Sequence, residues 1–99
     1  MNLTLMKASE IISEIEEIVK SISDGVNSKW RIGRADSASD AKEQHGDPNE
    51  WRDWDADSAD EASEVVEYFV DKGMRKEGEG FGGASFVYIF FIGSPQEAL

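Results

Sequence analysis

The longest continuous run of apolar residues lies near the C-terminus, at positions 86–92, and is rich in aromatic and β-branched types. Glycines lie on both sides of this run. A run of this length and composition is typical of a strand that is buried on both faces and covered by other elements. We therefore predict that residues 86–92 form the central strand of a small sheet.

Two amphipathic helices are predicted to cover this sheet. Residues 5–23 place isoleucine and valine at the i, i+3, i+4, i+7 spacing of one helical face. Residues 58–72 begin with the capping box Ser58-x-x-Glu61 and repeat the apolar spacing. Docking of a partner helix is the alternative use of the first apolar face. The residues predicted to face inward are Ile11, Ile12, Ile15, Ile18, Val19, Ile22, Ala62, Val65, Val66, Phe69 and Val70.

A shorter strand is predicted at residues 29–34. Trp30 and Ile32 alternate with basic residues and a glycine, so their side chains are expected to face inward. Arg34 falls on the same side as Trp30 unless the strand ends first, at Gly33. With Lys29 and Arg31, it forms the densest basic cluster of the chain, which would either hold an anion or simply offset neighbouring acids.

A short helix is predicted next, capped by Asp36 or Ser37 and ending near His45. The segment 51–57 then fits two structures. Its two tryptophans are three positions apart, which suits a helical turn, whereas its later residues alternate between apolar side chains and aspartate, which suits a strand. We predict a short edge strand.

These elements predict one α+β domain over residues 1–99, with a sheet of two or three strands, two amphipathic helices and one short helix. The glycine-rich segment 77–83 is predicted to be a loop and residues 93–99 a loose tail. The 99 residues contain no cysteine, which excludes disulfides, thiolate catalysis and cysteine-based zinc sites.

The formal net charge is −11, from 21 acidic and 10 basic residues. A negative field repels nucleic-acid phosphates and favours a basic protein as a partner, although a local basic patch would still allow nucleic-acid contact. The N-terminus lacks a signal-peptide pattern, and no apolar run approaches membrane-spanning length. We therefore expect a soluble, cytoplasmic protein without a membrane partner, and the sequence predicts no cofactor.

Two groups of residues suggest binding chemistry. The tryptophans at 30, 51 and 54 would stack against bases or sugars if exposed, but we expect Trp30 and at least one of Trp51 and Trp54 to be buried. His45 is the only histidine. It could act as a base or a ligand, but no nucleophile motif accompanies it, and its position near a helix C-terminus favours a structural role.

The acidic segment 53–64 resembles the ligand spacing of a calcium loop. Asp53, Asp55, Asp57 and Glu64 occupy the first, third, fifth and twelfth positions. The sixth position, which needs glycine for a sharp turn, is Ser58, and the eighth is an aspartate rather than an apolar residue. Calcium binding is therefore the weakest of the functional hypotheses.

The segment beginning at Trp30-Arg31-Ile32-Gly33, with His45 twelve residues after the glycine, resembles the second half of a GIY-YIG nuclease domain. The resemblance covers about half of the chain. It implies a strand carrying the Ile-Gly pair, a polar turn, a short helix with a histidine near its end, a further strand, and a helix that carries a metal-binding glutamate. Glu64 or Glu67 would occupy that metal position.

Two departures from the family pattern argue against catalysis. Ala41 stands where the family keeps an arginine that stabilises charge on the phosphate, and losing such a cation costs several kcal/mol of barrier. No GIY strand precedes Trp30, although the C-terminal strand around Tyr88 could occupy that place in a permuted arrangement.

The sequence thus predicts a non-catalytic, GIY-YIG-like module that binds another macromolecule. A divalent-metal-dependent nuclease or phosphodiesterase using His45 with Glu64 or Glu67 is the alternative, followed by calcium binding at 53–64. The candidate binding residues are Trp30, Arg34, His45, Trp51, Trp54, Glu64, Glu67 and Tyr88.

Overall fold

The computed structural model describes residues 5–46, 48, 50–77 and 84–92. These residues form five strands and three α-helices, with a 3₁₀ turn before the second strand. The elements are β1 (Leu5–Met6), α1 (Ala8–Ser23), β2 (Trp30–Ala35), α2 (Ala38–Gln44), β3 (Trp51–Ala56), α3 (Ala59–Asp71), β4 (Arg75–Lys76) and β5 (Phe86–Phe91). The predicted tail at 93–99, and all but the first residue of the predicted loop at 77–83, lie outside the described residues.

The strands form one mixed sheet in the order β1-β3-β5-β2-β4. β5 runs antiparallel to both of its neighbours, whereas β1 is parallel to β3 and β2 is parallel to β4. The α+β class and the central position of the C-terminal strand are therefore confirmed.

The predicted sheet size of two or three strands was wrong. β1 and β4 contain two residues each, which is too short for a period-2 pattern to reveal them. Leu5 and Met6, assigned from the sequence to the first helix, belong to β1, and α1 begins at Ala8. Because β1 pairs with the end of β3, β3 is an inner strand rather than the predicted edge strand.

The main core lies between one face of the sheet and the helices α1 and α3. Its fully buried side chains come from both layers and include Ile11, Ile15, Val65, Phe69, Trp30, Ile32, Val87 and Ile89. Most of the predicted inward faces are confirmed, but Ile22 and Val70 are 40% and 37% exposed. Both lie in the last turn of a helix, where periodicity predicts the direction of a side chain but not whether another element covers it.

The two long helices are joined at their N-termini. The Ser58 hydroxyl accepts a hydrogen bond from the Glu61 amide, as the capping box predicts. In a full capping box the Glu61 carboxylate would accept a second hydrogen bond from the Ser58 amide. Here it accepts from the Ala8 amide at the start of α1 instead. Farther along, the Tyr68 hydroxyl donates to Glu16 at 2.8 Å. The two helices therefore lie side by side. None of the helices in the described residues is long and apolar enough to cross a membrane.

Candidate functional site

The second face of the sheet carries an aromatic cluster made of Trp51, Tyr88 and Phe90. Because strand residues alternate between faces, these side chains point away from the main core. They are 2–8% exposed and lie beneath Ala41 of α2. The rings of Trp51 and Tyr88 are stacked, with centroids 4.7 Å apart and an interplanar angle of 9°. The cluster is thus a small second core that only the short helix α2 covers among the described elements.

His45 follows α2 directly and lies over this cluster. Its Nε2 atom is 3.1 Å from the Tyr88 hydroxyl, and its ring centroid is 4.9 Å from that of Phe90. Ser37 caps the start of α2, and His45 is the residue that caps its end. The structure therefore brings together three of the predicted site residues: His45, Trp51 and Tyr88.

Glu77 and Arg31 extend this contact across the sheet. The Glu77 amide donates to the Ile32 carbonyl at 2.8 Å, which holds Glu77 beside β2. One Glu77 oxygen accepts from Arg31 Nη1 at 2.8 Å, and the other lies 4.0 Å from Nδ1 of His45. Tyr88, His45, Glu77 and Arg31 thus form a continuous chain of contacts, here called the polar array.

Gly33 makes room for this array. It lies directly opposite Tyr88 in the antiparallel pairing of β2 and β5. A Cβ atom at Gly33 would lie 2.6 Å from the Tyr88 hydroxyl and would also overlap the Glu77 carbonyl. The absence of a side chain at this position therefore allows the phenol and the Glu77 backbone to pack against β2.

Tyr88 stays un-ionised at neutral pH. Burial of the phenol, together with the nearby Glu77 carboxylate, raises the pKa of Tyr88 from 10.0 to about 12. A neutral phenol exchanges a hydrogen bond with His45 but is a poor nucleophile or base. The array is consequently better suited to holding α2 against the sheet than to activating Tyr88.

We expect the folded protein to lose stability between pH 10 and pH 12, where Tyr88 ionises in the unfolded chain but stays largely protonated in the folded one. Because the folded state raises this pKa, the contribution is fully present below pH 10 and decreases as the pH rises through about 12. Two pKa units correspond to about 2–3 kcal/mol. Absorbance at 295 nm, with folding followed by circular dichroism, measures the ionisation, and Tyr88→Phe should remove the late step. Ionisation of Tyr88 near pH 10 in the folded protein would contradict this expectation.

The other two tryptophans belong to the main core. Trp30 is fully buried, and its indole N–H donates to the Ser23 hydroxyl at 2.9 Å. Trp54 is 8% exposed, and its indole N–H donates to Glu14 at 2.9 Å. The predicted burial of Trp30 and at least one further tryptophan is confirmed, so these rings do not form an exposed stacking surface.

The remaining predicted site residues lie away from the aromatic cluster. Arg34 points to the opposite face, where its guanidinium donates to the carbonyls of Ala84 and Ala59 at 3.1 and 3.4 Å. Glu64 and Glu67 are exposed on α3, which packs against that same opposite face. The sheet therefore separates both glutamates from the His45–Tyr88 contact.

The carboxylates of the calcium-like segment 53–64 belong to several elements. Asp53 and Asp55 lie within β3 rather than in a loop, and Glu61 is bonded to the start of α1. Across residues 5–46, 48, 50–77 and 84–92, no group of three or more histidines and acidic residues lies close enough to hold a metal ion.

Arg31 and Glu77 were not among the predicted site residues. Arg31 was considered as part of a basic cluster and of the Trp30–Gly33 motif, and Glu77 only as the start of a loop. The two are 46 positions apart, and their contact depends on the parallel pairing of β2 with β4, a strand too short to predict. The alternation of β2 does, however, place Arg31 on the face opposite Trp30 and Ile32, and this signal was available.

The helical layer is strongly acidic on its outer surface. Within α1 and α3, eight carboxylates are exposed, against a single lysine, Lys20. We call this surface, formed by two adjacent helices, the acidic surface. Its carboxylates are Glu10, Glu14, Glu16, Glu17, Asp60, Glu64, Glu67 and Asp71.

No protein-family model matches this sequence, and comparison with curated proteins and with solved structures gave no match. Any functional assignment therefore rests on the chain's own residues.

Proposed function

We propose that this protein is a non-catalytic, GIY-YIG-like module that binds a basic protein through the acidic surface. The observation that carries the proposal is the concentration of eight exposed carboxylates on two adjacent helices. Such a local concentration of negative charge creates a field that attracts a basic partner and orients its approach.

The second face supports the non-catalytic part of the proposal. Arg31 is paired with Glu77, and Arg34 is bonded to carbonyls on the other face of the sheet. Phosphoryl chemistry needs a cation aimed at the developing negative charge. Because Arg31 is held by Glu77, Arg34 donates to backbone carbonyls and the Tyr88 phenol is neutral, the polar array is better suited to structure than to phosphodiester cleavage.

The pairing of β2 with β5 supports the GIY-YIG-like part. The two strands are antiparallel neighbours, and Gly33 of the Ile-Gly pair lies opposite Tyr88. α2 carries Ala41 and ends at His45 above these strands. This placement agrees with a C-terminal strand that fills the place of the missing first family strand.

A metal-dependent nuclease or phosphodiesterase is the second candidate, and the His45–Tyr88 contact is the observation that favours it. It ranks lower because Glu64 and Glu67 lie across the sheet from that contact. Calcium binding at 53–64 ranks lower still. Cleavage of plasmid DNA in the presence of Mg²⁺ or Mn²⁺, lost in Tyr88→Phe, would overturn the non-catalytic proposal.

We expect a lysine-rich peptide to bind the acidic surface with an affinity that falls steeply with added salt. The triple variant Glu17→Gln, Glu64→Gln, Glu67→Gln removes three exposed charges from this surface and should weaken binding roughly tenfold at low ionic strength. Isothermal titration calorimetry at two or more salt concentrations provides the measurement.

The matched control removes three exposed carboxylates next to or within α2, on the other face of the sheet. The variant Asp36→Asn, Asp40→Asn, Glu43→Gln has the same net charge as the first triple. It should change the affinity less than about twofold, because its charges lie far from the acidic surface. Equal weakening by both triples would show that net charge alone drives binding and would contradict a localised surface.

A further inference from the structure

Helix α2 buries far fewer residues than the other two helices. It has seven residues and buries one of them, Ala41, whereas α1 buries five residues and α3 buries four. An isolated helix of this length is not stable in water, so α2 depends on its contacts with the sheet. We propose that α2 is a cover that opens locally from the sheet and that His45 is its latch.

His45 makes the main side-chain contacts that hold the end of α2 to the sheet. Its ring contacts the Tyr88 hydroxyl at 3.1 Å and lies over the Phe90 ring, while Ala41 contributes only a methyl group. The next residue, Gly46, has φ +81°, a left-handed conformation that glycine adopts freely and that turns the chain away from the helix. The histidine is therefore the last described contact before the chain leaves the helix.

The N-terminal cap of α2 does not fasten the helix to the sheet. The Ser37 hydroxyl accepts from the Asp40 amide, so this bond stays within the helix and is not lost when α2 moves. The only polar side-chain contacts between the end of α2 and the sheet region run from His45 to Tyr88 and Glu77 among the described residues.

Opening of α2 changes the character of the second face. In the closed state, Trp51, Tyr88 and Phe90 are at most 8% exposed beneath the helix. Release of His45 and Ala41 uncovers these rings beside the Arg31 guanidinium. The cover thus controls the access of solvent to an aromatic surface, and it does so on the face of the sheet opposite the acidic surface.

Native-state hydrogen exchange on the full chain tests this proposal. Amides of α2, such as that of His45, which donates to Ala41, should exchange through an opening that leaves β5 protected. His45→Ala should accelerate exchange in α2 about tenfold, because it removes a partly buried hydrogen bond and the ring contacts, and should leave exchange in β5 and α3 unchanged.

Two variants separate the latch from general destabilisation. Gln44→Ala changes the adjacent exposed residue of the same helix and should change α2 exchange less than about twofold. Tyr88→Phe removes only the hydroxyl partner of His45 and should accelerate hydrogen exchange in α2 about threefold. Exchange of α2 at the same rate as β5, or equal acceleration of both in His45→Ala, would overturn the proposal, because either outcome means that α2 opens only with the whole domain.

Discussion

Replacing Gly33 with alanine is expected to lower the free energy of unfolding by about 3 kcal/mol. The added Cβ would lie 2.6 Å from the Tyr88 hydroxyl and would also overlap the Glu77 carbonyl. The Glu77 carbonyl belongs to the backbone that runs beside β2. The overlap with it can therefore be removed only if the backbone moves, and not by rotation of a side chain. Urea denaturation followed by circular dichroism measures the loss.

The matched control for this substitution is Gly25→Ala. Gly25 has φ +85° with nothing within 4 Å of an added Cβ, so its cost comes from backbone conformation alone and should be about 1 kcal/mol. The double variant Gly33→Ala, Tyr88→Phe should regain little stability, because the overlap with the Glu77 carbonyl remains. A Gly33→Ala protein as stable as the wild type would show that the packing of Tyr88 and Glu77 against β2 is not as described.

Replacing Trp30 with alanine is expected to cost about 4 kcal/mol, a large share of the stability of a domain of this size. The indole is fully buried between the sheet and the helices, with its ring edge-on to Phe91 at 5.1 Å. The substitution leaves a cavity in a close-packed core and removes the donor to Ser23. Chemical denaturation monitored by far-ultraviolet circular dichroism provides the measurement.

Two further variants divide this loss into its causes. Ser23→Ala removes the acceptor of the indole bond while keeping the ring, and should cost about 1–2 kcal/mol. Trp30→Phe keeps part of the volume but leaves the Ser23 hydroxyl without the indole donor, and should cost more than Ser23→Ala and less than Trp30→Ala. If Trp30→Ala costs no more than Ser23→Ala, burial of the ring is not the source of the stability.

The two faces of the sheet separate the proposed roles of the molecule. Binding of a basic partner uses α1 and α3, whereas opening of α2 concerns the opposite face. The charge variants at Glu17, Glu64 and Glu67 should leave the exchange of α2 unchanged, and His45→Ala should leave peptide binding unchanged. Each proposal can therefore fail without affecting the other.

Much of the fold could be predicted because its strongest patterns are local. The helical spacing in α1 and α3, the alternation around Trp30 and Ile32, and the apolar run of β5 all occur within short windows of sequence. The cap of α2 was narrowed to Asp36 or Ser37 for the same reason, and the structure shows Ser37, whose hydroxyl accepts from an amide three positions away. Each of these signals reflects an interaction or a periodicity confined to neighbouring residues.

The candidate site could be predicted only in part. His45, Trp51 and Tyr88 were chosen for their chemistry, and the structure brings them together. Glu64 and Glu67 were chosen because their helix resembles the glutamate-bearing helix of the GIY-YIG family, but the sequence does not say which face of the sheet that helix covers. The parts played by Glu77 and Gly33 depend on strand pairing between distant segments, which leaves no periodic signal.

The sequence by itself determined the helices, the central strand, the burial of Trp30 and the acidic character of the chain. Hydrophobic periodicity is a pattern of neighbouring residues, and net charge follows from composition alone. Only the tertiary structure decided that α1 and α3 share one face and that, among the described helices, α2 alone lies on the other. It also decided that a glycine, a phenol, an imidazole and a carboxylate meet over β2. These arrangements follow from the order and register of five strands, and register joins residues that are dozens of positions apart.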